Sequence, residues 1–516
     1  MQIHFDVDIL ESLQNLAENG LAEKRILLVT SKSFNRHSAC GTISAESSKI
    51  AQSLTSSKLN RDFFDNHQTS TTILECQDSN TISLIQDARI ADSNNTESAN
   101  QDSNACHTER ELVSQILDSN PAESKRANLA QNIAKIFSNI IIYDSVSPNP
   151  QLESLQSTKA KIQGCYDVVI ALGGGSVLDS AKFFALQNEI VANNGSLEIV
   201  GEARALPLFA CPSTAGTGSE LTQWATIWDS KANIKYSLSH KCLYPQIAFY
   251  DISLLLSLPL NLSIHTALDS LSHAIESIWN KNANPISTQY AKAAIELILE
   301  NLPLLYEMLT SLDSTTNCHI ERSEISSIES KQDFSCLRTQ NDRATKSINS
   351  IANFAEVSLA NFVGCEAFCT ETSHKGLSTS KKQTSLKNTK ETTQIRRNLA
   401  LACMQSALSF SNTQTALAHA ISYPITMRFG VPHGLACSFT LPILLDCISE
   451  KNADSILSPY KQGIKNLFKT LHISSNPRDY GLDSTMIEDI FSSLNARAKN
   501  GLLDVAKAKR RMLSLL

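Results

Sequence analysis

Tyr166-Asp-Val-Val-Ile-Ala-Leu-Gly173-Gly174-Gly175-Ser176-Val-Leu-Asp179-Ser-Ala-Lys182 is the stretch that decides the fold class. Its first half is an apolar, strand-like run. Three glycines follow, and glycine lets a backbone turn tightly and approach a bound group closely. The remainder reads as the start of a helix, whose unpaired N–H groups and partial positive charge would face that group. Ser176 and Asp179 stand at the S-x-x-D spacing of a capping box. The glycines do not follow the G-x-G-x-x-G order of the ordinary dinucleotide fold. Taken alone, the stretch is either a pyrophosphate cradle or a tight turn before a capped helix.

Outward from it, the same texture repeats. Residues 24–34, Phe137–Tyr143 and Leu208–Pro212 are further strand-like runs with helical segments among them. Alternating strand and helix implies a parallel sheet covered by helices. Pro212-Ser213-Thr214-Ala215-Gly216-Thr217-Gly218-Ser219-Glu220 follows one such strand, and its hydroxyls and glycines suit contact with ribose or phosphate. From Leu258 the pattern changes to helical spacing, at 264–280, 285–309, 396–421 and 435–450. The organisation expected is an α/β dinucleotide-binding domain over 1–257 and an all-α domain over 258–516. Each carries a polar, low-complexity insertion, 35–126 in the first and 313–394 in the second. The first is expected to be mostly disordered, because it has little apolar surface to offset its ordering entropy. Within the second, 351–368 retains some helical character.

At 516 residues the chain exceeds one compact core. With 42% hydrophobic and 19% charged residues it fits a soluble globular protein. A net charge of -6 gives no reason to expect nucleic acid or an anionic membrane as partner. No apolar stretch is long enough to span a bilayer, and the N-terminal residues lack a secretory pattern. The 13 cysteines are scattered without a C-x-x-C pair, which fits reduced thiols in the cytoplasm.

Asp269-Ser-Leu-Ser-His273 puts a carboxylate and an imidazole on one helix face. His419 and His433 lie on later apolar segments. One carboxylate and three imidazoles suit zinc or iron(II) with room for a substrate oxygen. Any one of these histidines alone is better explained by packing or capping. A buried Asp269, however, would be costly without a cationic neighbour.

These motifs together resemble the iron-containing (group III) alcohol dehydrogenases, relatives of dehydroquinate synthase. The resemblance is carried by Gly173–Lys182, Ser213–Glu220, Asp269–Glu276, His419 and Pro432-His433-Gly434. It implies a dehydroquinate synthase-like fold with the site between an N-terminal dinucleotide domain and a C-terminal helical domain. Asp269, His273, His419 and His433 would hold Fe(2+) or Zn(2+). Gly174, Gly175 and Ser176 would hold the pyrophosphate of NADH or NADPH. Asp179 and Asn149 would lie near the nicotinamide, with Ser213, Thr214, Thr217 and Lys235 completing the cleft. A homodimer is a further expectation.

Two positions depart from the family pattern. Ser31 stands where many members carry an Asp that binds the adenosine ribose, so NADPH should be accepted. Tyr423 stands where many carry a further histidine, and becomes the candidate for proton transfer. The wording of Ser411–His433 looks most similar to the phosphonoacetaldehyde reductases (2-hydroxyethylphosphonate dehydrogenases), and Arg428 is either the phosphonate contact or a solvent-exposed cation at a helix end. The alternatives are a reductase of another small aldehyde and a dehydroquinate synthase-like lyase.

Overall fold

The computed structural model describes residues 1–34, 70–77, 81–84, 128–193, 196–232, 234–316 and 378–516. The main sheet runs in the order β1 (Gln2–Phe5), β12 (Ile247–Tyr250), β9 (Leu208–Pro212), β6 (Val168–Gly173), β2 (Ile26–Val29), β5 (Asn139–Tyr143), β3 (Ser70–Gln77), β4 (Thr81–Leu84). All its neighbours pair in parallel except β3 with β4. Two antiparallel hairpins, β7 (Ile190–Asn193) with β8 (Ser196–Ile199) and β10 (Trp224–Asp229) with β11 (Ile234–Ser239), stand apart from it.

The central strands are apolar at every position because both faces are covered. Leu27 and Val29 of β2 join Val169 and Ala171 in one core, under α3 (Leu152–Ile162) and α4 (Gly175–Ala185). Ile26 and Leu28 point the other way, to Ile140, Ile142 and the helices α1 (Ile9–Leu16) and α2 (Leu129–Ile136). The two-residue period of a strand sorts one apolar run between two cores.

β3 and β4 fall inside the stretch 35–126, which the sequence reading leaves mostly disordered. Thr71-Thr-Ile-Leu74 supplies the β-branched residues that favour strand, and β3 adds to the sheet beside β5. The rest of that insertion, and 317–377 of the second one, including 351–368, lie outside the described residues.

After Leu258 the described chain is helical: α5 (Leu260–Ile278), α6 (Pro285–Thr316), α7 (Ser378–Thr413), α8 (Leu417–Phe429), α9 (His433–Ser438), then α10 (Leu441–Leu444), α11 (Lys451–Leu457), α12 (Lys461–Thr470), α13 (Ser484–Ser492) and α14 (Val505–Leu513). α5 is central, and every residue from Ala267 to Ile278 is buried. The apolar segment 396–421, expected as one helix, is two. α7 stops at Thr413, and Gln414 takes a left-handed φ of 69° before α8 begins. The chain forms two compact units, Met1–Leu309 with Lys390–Leu516, and Thr310–Thr389. The sheet and every candidate site residue belong to the first. Among the described residues no helix is long and apolar enough to cross a membrane.

Candidate active site

Asp269 and His273 lie one turn apart on α5. His419 is the third residue of α8, and His433 is the first of α9. What brings these helices together is legible at Gly434. A Cβ there would sit 1.9 Å from the His265 carbonyl oxygen, so only glycine lets α9 lie this close to α5. Asp269 Oδ1 is then 3.4 Å from His419 Nε2 and 3.9 Å from His273 Nε2. Donor atoms of Asp269, His419, His433 and Cys437 all lie within 4.8 Å of one another. His273 stands beside this set, its ring stacked between Phe410 at 4.0 Å and His419 at 4.4 Å.

Glu276, one further turn along α5, is fully buried. Its Oε2 accepts a 2.6 Å hydrogen bond from His419 Nδ1, which leaves the Nε2 lone pair turned toward Asp269. The same carboxylate accepts from the backbone N–H groups of Ala416 (2.8 Å) and Ala418 (2.6 Å). α8 has no side-chain cap of its own at Ala416, so Glu276 caps it from another helix and orients its histidine at once. Glu276 closes the Asp269–Glu276 motif, but no role is expected of it from sequence alone. Its signal is its spacing, which keeps it on the Asp269–His273 face of α5.

Asp269 Oδ1, His273 Nδ1 and His419 Nε2 are buried without hydrogen-bond partners. Such atoms are costly unless something meets them. Burial keeps His273 and His433 neutral, lowering them to about 4 and about 3. Burial alone would raise Asp269, but His273, His419 and His433 together hold it well below the usual carboxylate range. His419 differs: burial would lower it, but Cys437, Glu276 and Asp269 push it well above the usual imidazole value, so a divalent cation taking this centre must displace its proton. With that proton gone, an ionised carboxylate and neutral imidazoles share one centre, the donor state that such a cation requires. The residues therefore fit a metal.

The glycine cradle is the turn from β6 into α4. Ser176 lies inside the helix and no side chain caps it, so the capping box expected from Ser176 and Asp179 does not form. Asp179 reaches outward instead: Oδ1 accepts from Ser219 Oγ at 2.7 Å and Oδ2 from the Thr226 N–H at 2.9 Å. Its neighbour Lys182, fully buried, donates to Ser219 Oγ, Thr222 Oγ1 and the Trp224 carbonyl. These bonds fasten the second loop to the cradle. Gly174 faces Thr214, and a Cβ on Gly175 would come 2.6 Å from Thr217. Ser213 is buried at the end of β9, while Thr214 and Thr217 are half-buried. Asn149 is exposed, with a φ of 57°. Ser31, hydrogen-bonded to Ser33 at 2.8 Å, lines a cavity of about 420 Å³ with Lys32, Asp144, Ser145, Val146 and Ser147. That cavity lies where β2 and β5 end, the edge at which parallel sheets bind ligands.

Between the metal donors and the hairpin stands Tyr423, its ring parallel to that of His433 at 5.9 Å. Lys235 Nζ lies over the Tyr423 ring, 3.5 Å from its centre. Arg497 Nη1 donates to Tyr423 Oη at 3.2 Å, and Nη2 to Ser237 Oγ at 2.8 Å. Burial alone would raise the Tyr423 hydroxyl, but Lys235, Arg497 and His419 outweigh it and bring it to about 8. Arg428, the expected substrate contact, is instead exposed on the last turn of α8. Sequence reasoning missed Arg497, which lies 74 residues beyond Tyr423 with no motif around it, and Cys437, whose signal is its i+4 spacing from His433.

Residues 109–252 match the family "Iron-containing alcohol dehydrogenase", and 263–322 with 378–499 match its C-terminal domain. The chain belongs to the iron-containing alcohol dehydrogenase family. It is similar to alcohol dehydrogenase 4 of Saccharomyces cerevisiae, 36% identical over 172 residues that make up 33% of this chain and 45% of the relative. The NAD-dependent methanol dehydrogenase of Bacillus methanolicus is 34% identical over 182 residues, 34% of this chain and 47% of that protein. The matches thus span under half of these relatives. A sulfoacetaldehyde reductase from Bifidobacterium kashiwanohense, solved with NAD+, shares the fold at a TM-score of 0.57 and 17% identity, covering 100% of this chain and 96% of its own. The family's cofactors are iron and NAD(H), and the donor set and glycine cradle are suited to both.

Proposed function

We propose that this chain is a metal-dependent, NAD(P)H-linked reductase of a small aldehyde, with phosphonoacetaldehyde going to 2-hydroxyethylphosphonate as its reaction. The observation that carries the reductase reading is the buried group of Asp269 Oδ1, His273 Nδ1 and His419 Nε2, unsatisfied by hydrogen bonds, beside His433 and in one fold with a glycine cradle. The finer substrate rests on the wording of Ser411–His433.

In the net reaction an aldehyde, a hydride from NAD(P)H and one proton give a primary alcohol and NAD(P)+. When bound, the metal supplies Lewis acidity at the carbonyl oxygen and the nicotinamide supplies the hydride. The protein's own residues bind and orient. Asp269, His273, His419 and His433 hold the metal, and Glu276 fixes the tautomer of His419. Backbone N–H groups at Gly174, Gly175 and Ser176 meet the pyrophosphate. Ser213, Thr214 and Thr217 border the cleft, with Asn149 and Asp179 toward the nicotinamide end. Ser31, beside Lys32, tolerates a 2′-phosphate. Phe410 and Trp224, stacked beyond His273, exclude water. Tyr423 Oη delivers the proton.

The test is oxidation of NADH and of NADPH by protein loaded with iron(II) or zinc, across phosphonoacetaldehyde, propanal and other small aldehydes. Metal-dependent oxidation with equimolar alcohol formed is the expected result. No turnover of any aldehyde by metal-loaded protein would overturn the reductase reading, and a clear preference for propanal would overturn the phosphonate.

A further inference from the structure

Two cations stand at the site with no counter-charge assigned to them. Lys235, on β11, rests its ammonium on the face of Tyr423 and 5.4 Å from the Trp228 ring centre. Arg497, in the 3₁₀ turn Ala496–Asn500 packed on α8, gives Nη1 to Tyr423 and Nη2 to Ser237. Neither is ion-paired among the described residues. Asp179 is the acid whose charge reaches Lys235, but both its oxygens are engaged, by Ser219 and by the Thr226 N–H. Lys235, Tyr423 and Arg497 are each only half-buried, so the cluster is open to a ligand. Tyr423 links it to the metal donors through His433.

A guanidinium and an ammonium held this way, partly desolvated, favour an anion that meets both. We infer that Arg497 and Lys235 seat the acid group of the substrate, so that the enzyme reduces a compact aldehyde bearing a phosphonate or similar acid close to its carbonyl. This rests on the reductase reading and replaces Arg428 with Arg497 as the anion contact. The carbonyl lies toward Asp269, His419 and His433, and the acid lies across Tyr423. Because each arginine hydrogen bond is made with a hydroxyl, the fork is oriented before the substrate arrives.

A phosphate of the nucleotide is the other source of such an anion, and the experiment separates the two. In metal-loaded enzyme, Arg497→Gln keeps a donor for Tyr423 and Ser237 but removes the charge. A lost charge-assisted hydrogen bond corresponds to roughly a 10- to 100-fold rise in KM. That rise is expected in the KM of phosphonoacetaldehyde and not in that of propanal or NADPH, while kcat falls on both aldehydes alike because Arg497 also holds Tyr423. Arg497→Lys should recover part of the loss. Methylphosphonate, followed by calorimetry, should bind the native holoenzyme and bind Arg497→Gln in parallel more weakly. A rise confined to the KM of NADPH would assign the cluster to the nucleotide and overturn the inference. An equal rise in KM for both aldehydes would reduce Arg497 to a structural role and overturn the inference. If no aldehyde is turned over, the reductase reading fails, and the methylphosphonate measurement alone still decides whether the cluster is an anion seat.

Discussion

Glu276 shows how much one side chain governs at this site. Its carboxylate sets the tautomer of His419 through a 2.6 Å hydrogen bond and satisfies two N–H groups at the start of α8. Removing it leaves buried donors unpaired, at about 1–3 kcal/mol each, and frees the imidazole to turn. Partners of this kind typically matter by roughly 10- to 100-fold in metal affinity. Glu276→Ala is therefore expected to weaken metal binding by about that factor and to lower the Tm. Glu276→Gln, whose carbonyl oxygen still accepts, should lose less. Chelator competition checks the affinity and thermal melting the stability. Native metal affinity in Glu276→Ala would remove Glu276 from the metal's support.

At the scale of elements, the site depends on two close approaches. α9 reaches α5 only because Gly434 has no side chain, and the atom in the way is a backbone oxygen, which cannot swing aside. Overpacking of this kind costs about 1–3 kcal/mol, and relief requires α9 to retreat with His433 at its first position. Gly434→Ala should thus yield folded protein with sharply reduced metal content, measured by elemental analysis beside a circular dichroism melt. Full metal occupancy at an unchanged Tm would show that α9 does not position the ligand. The second approach joins the cradle to the Ser213–Glu220 loop, where Lys182 and Asp179 of α4 both bind Ser219. That contact turns two turns distant in sequence into a single cleft.

For the whole molecule, the donors come from three helices that share one core with Leu271, Ile275, Leu417, Ile421 and Ala436. A metal held there binds the native state and not the unfolded chain. At about 100 times its Kd such a ligand adds about 2.7 kcal/mol of stability. Stripping the metal with a chelator should therefore lower the Tm by several degrees, and added iron(II) or zinc should restore it in a concentration-dependent way. A Tm indifferent to metal would mean that the four residues do not form a metal centre.

The sequence by itself determined the alternation of apolar strands and helices, the change to all-helical texture after Leu258, and the location of the glycine cradle. It also marked Asp269, His273, His419 and His433, because local period and residue chemistry are written in consecutive or regularly spaced residues. Strand and helix periods depend on neighbours a few positions away, so β2, β6, β9 and α5 are legible in the sequence. The tertiary structure alone decided the rest. The break at Gln414 separates what reads as one apolar helix. The carboxylate of Asp179 leaves its own helix to bind a loop. Glu276 caps a helix that begins 140 residues later. Cys437 enters the donor set that His273 flanks, and Arg497, not Arg428, meets Tyr423. Each of these depends on which distant backbones touch, and that is set by packing many side chains at once, for which no local spacing carries a signal.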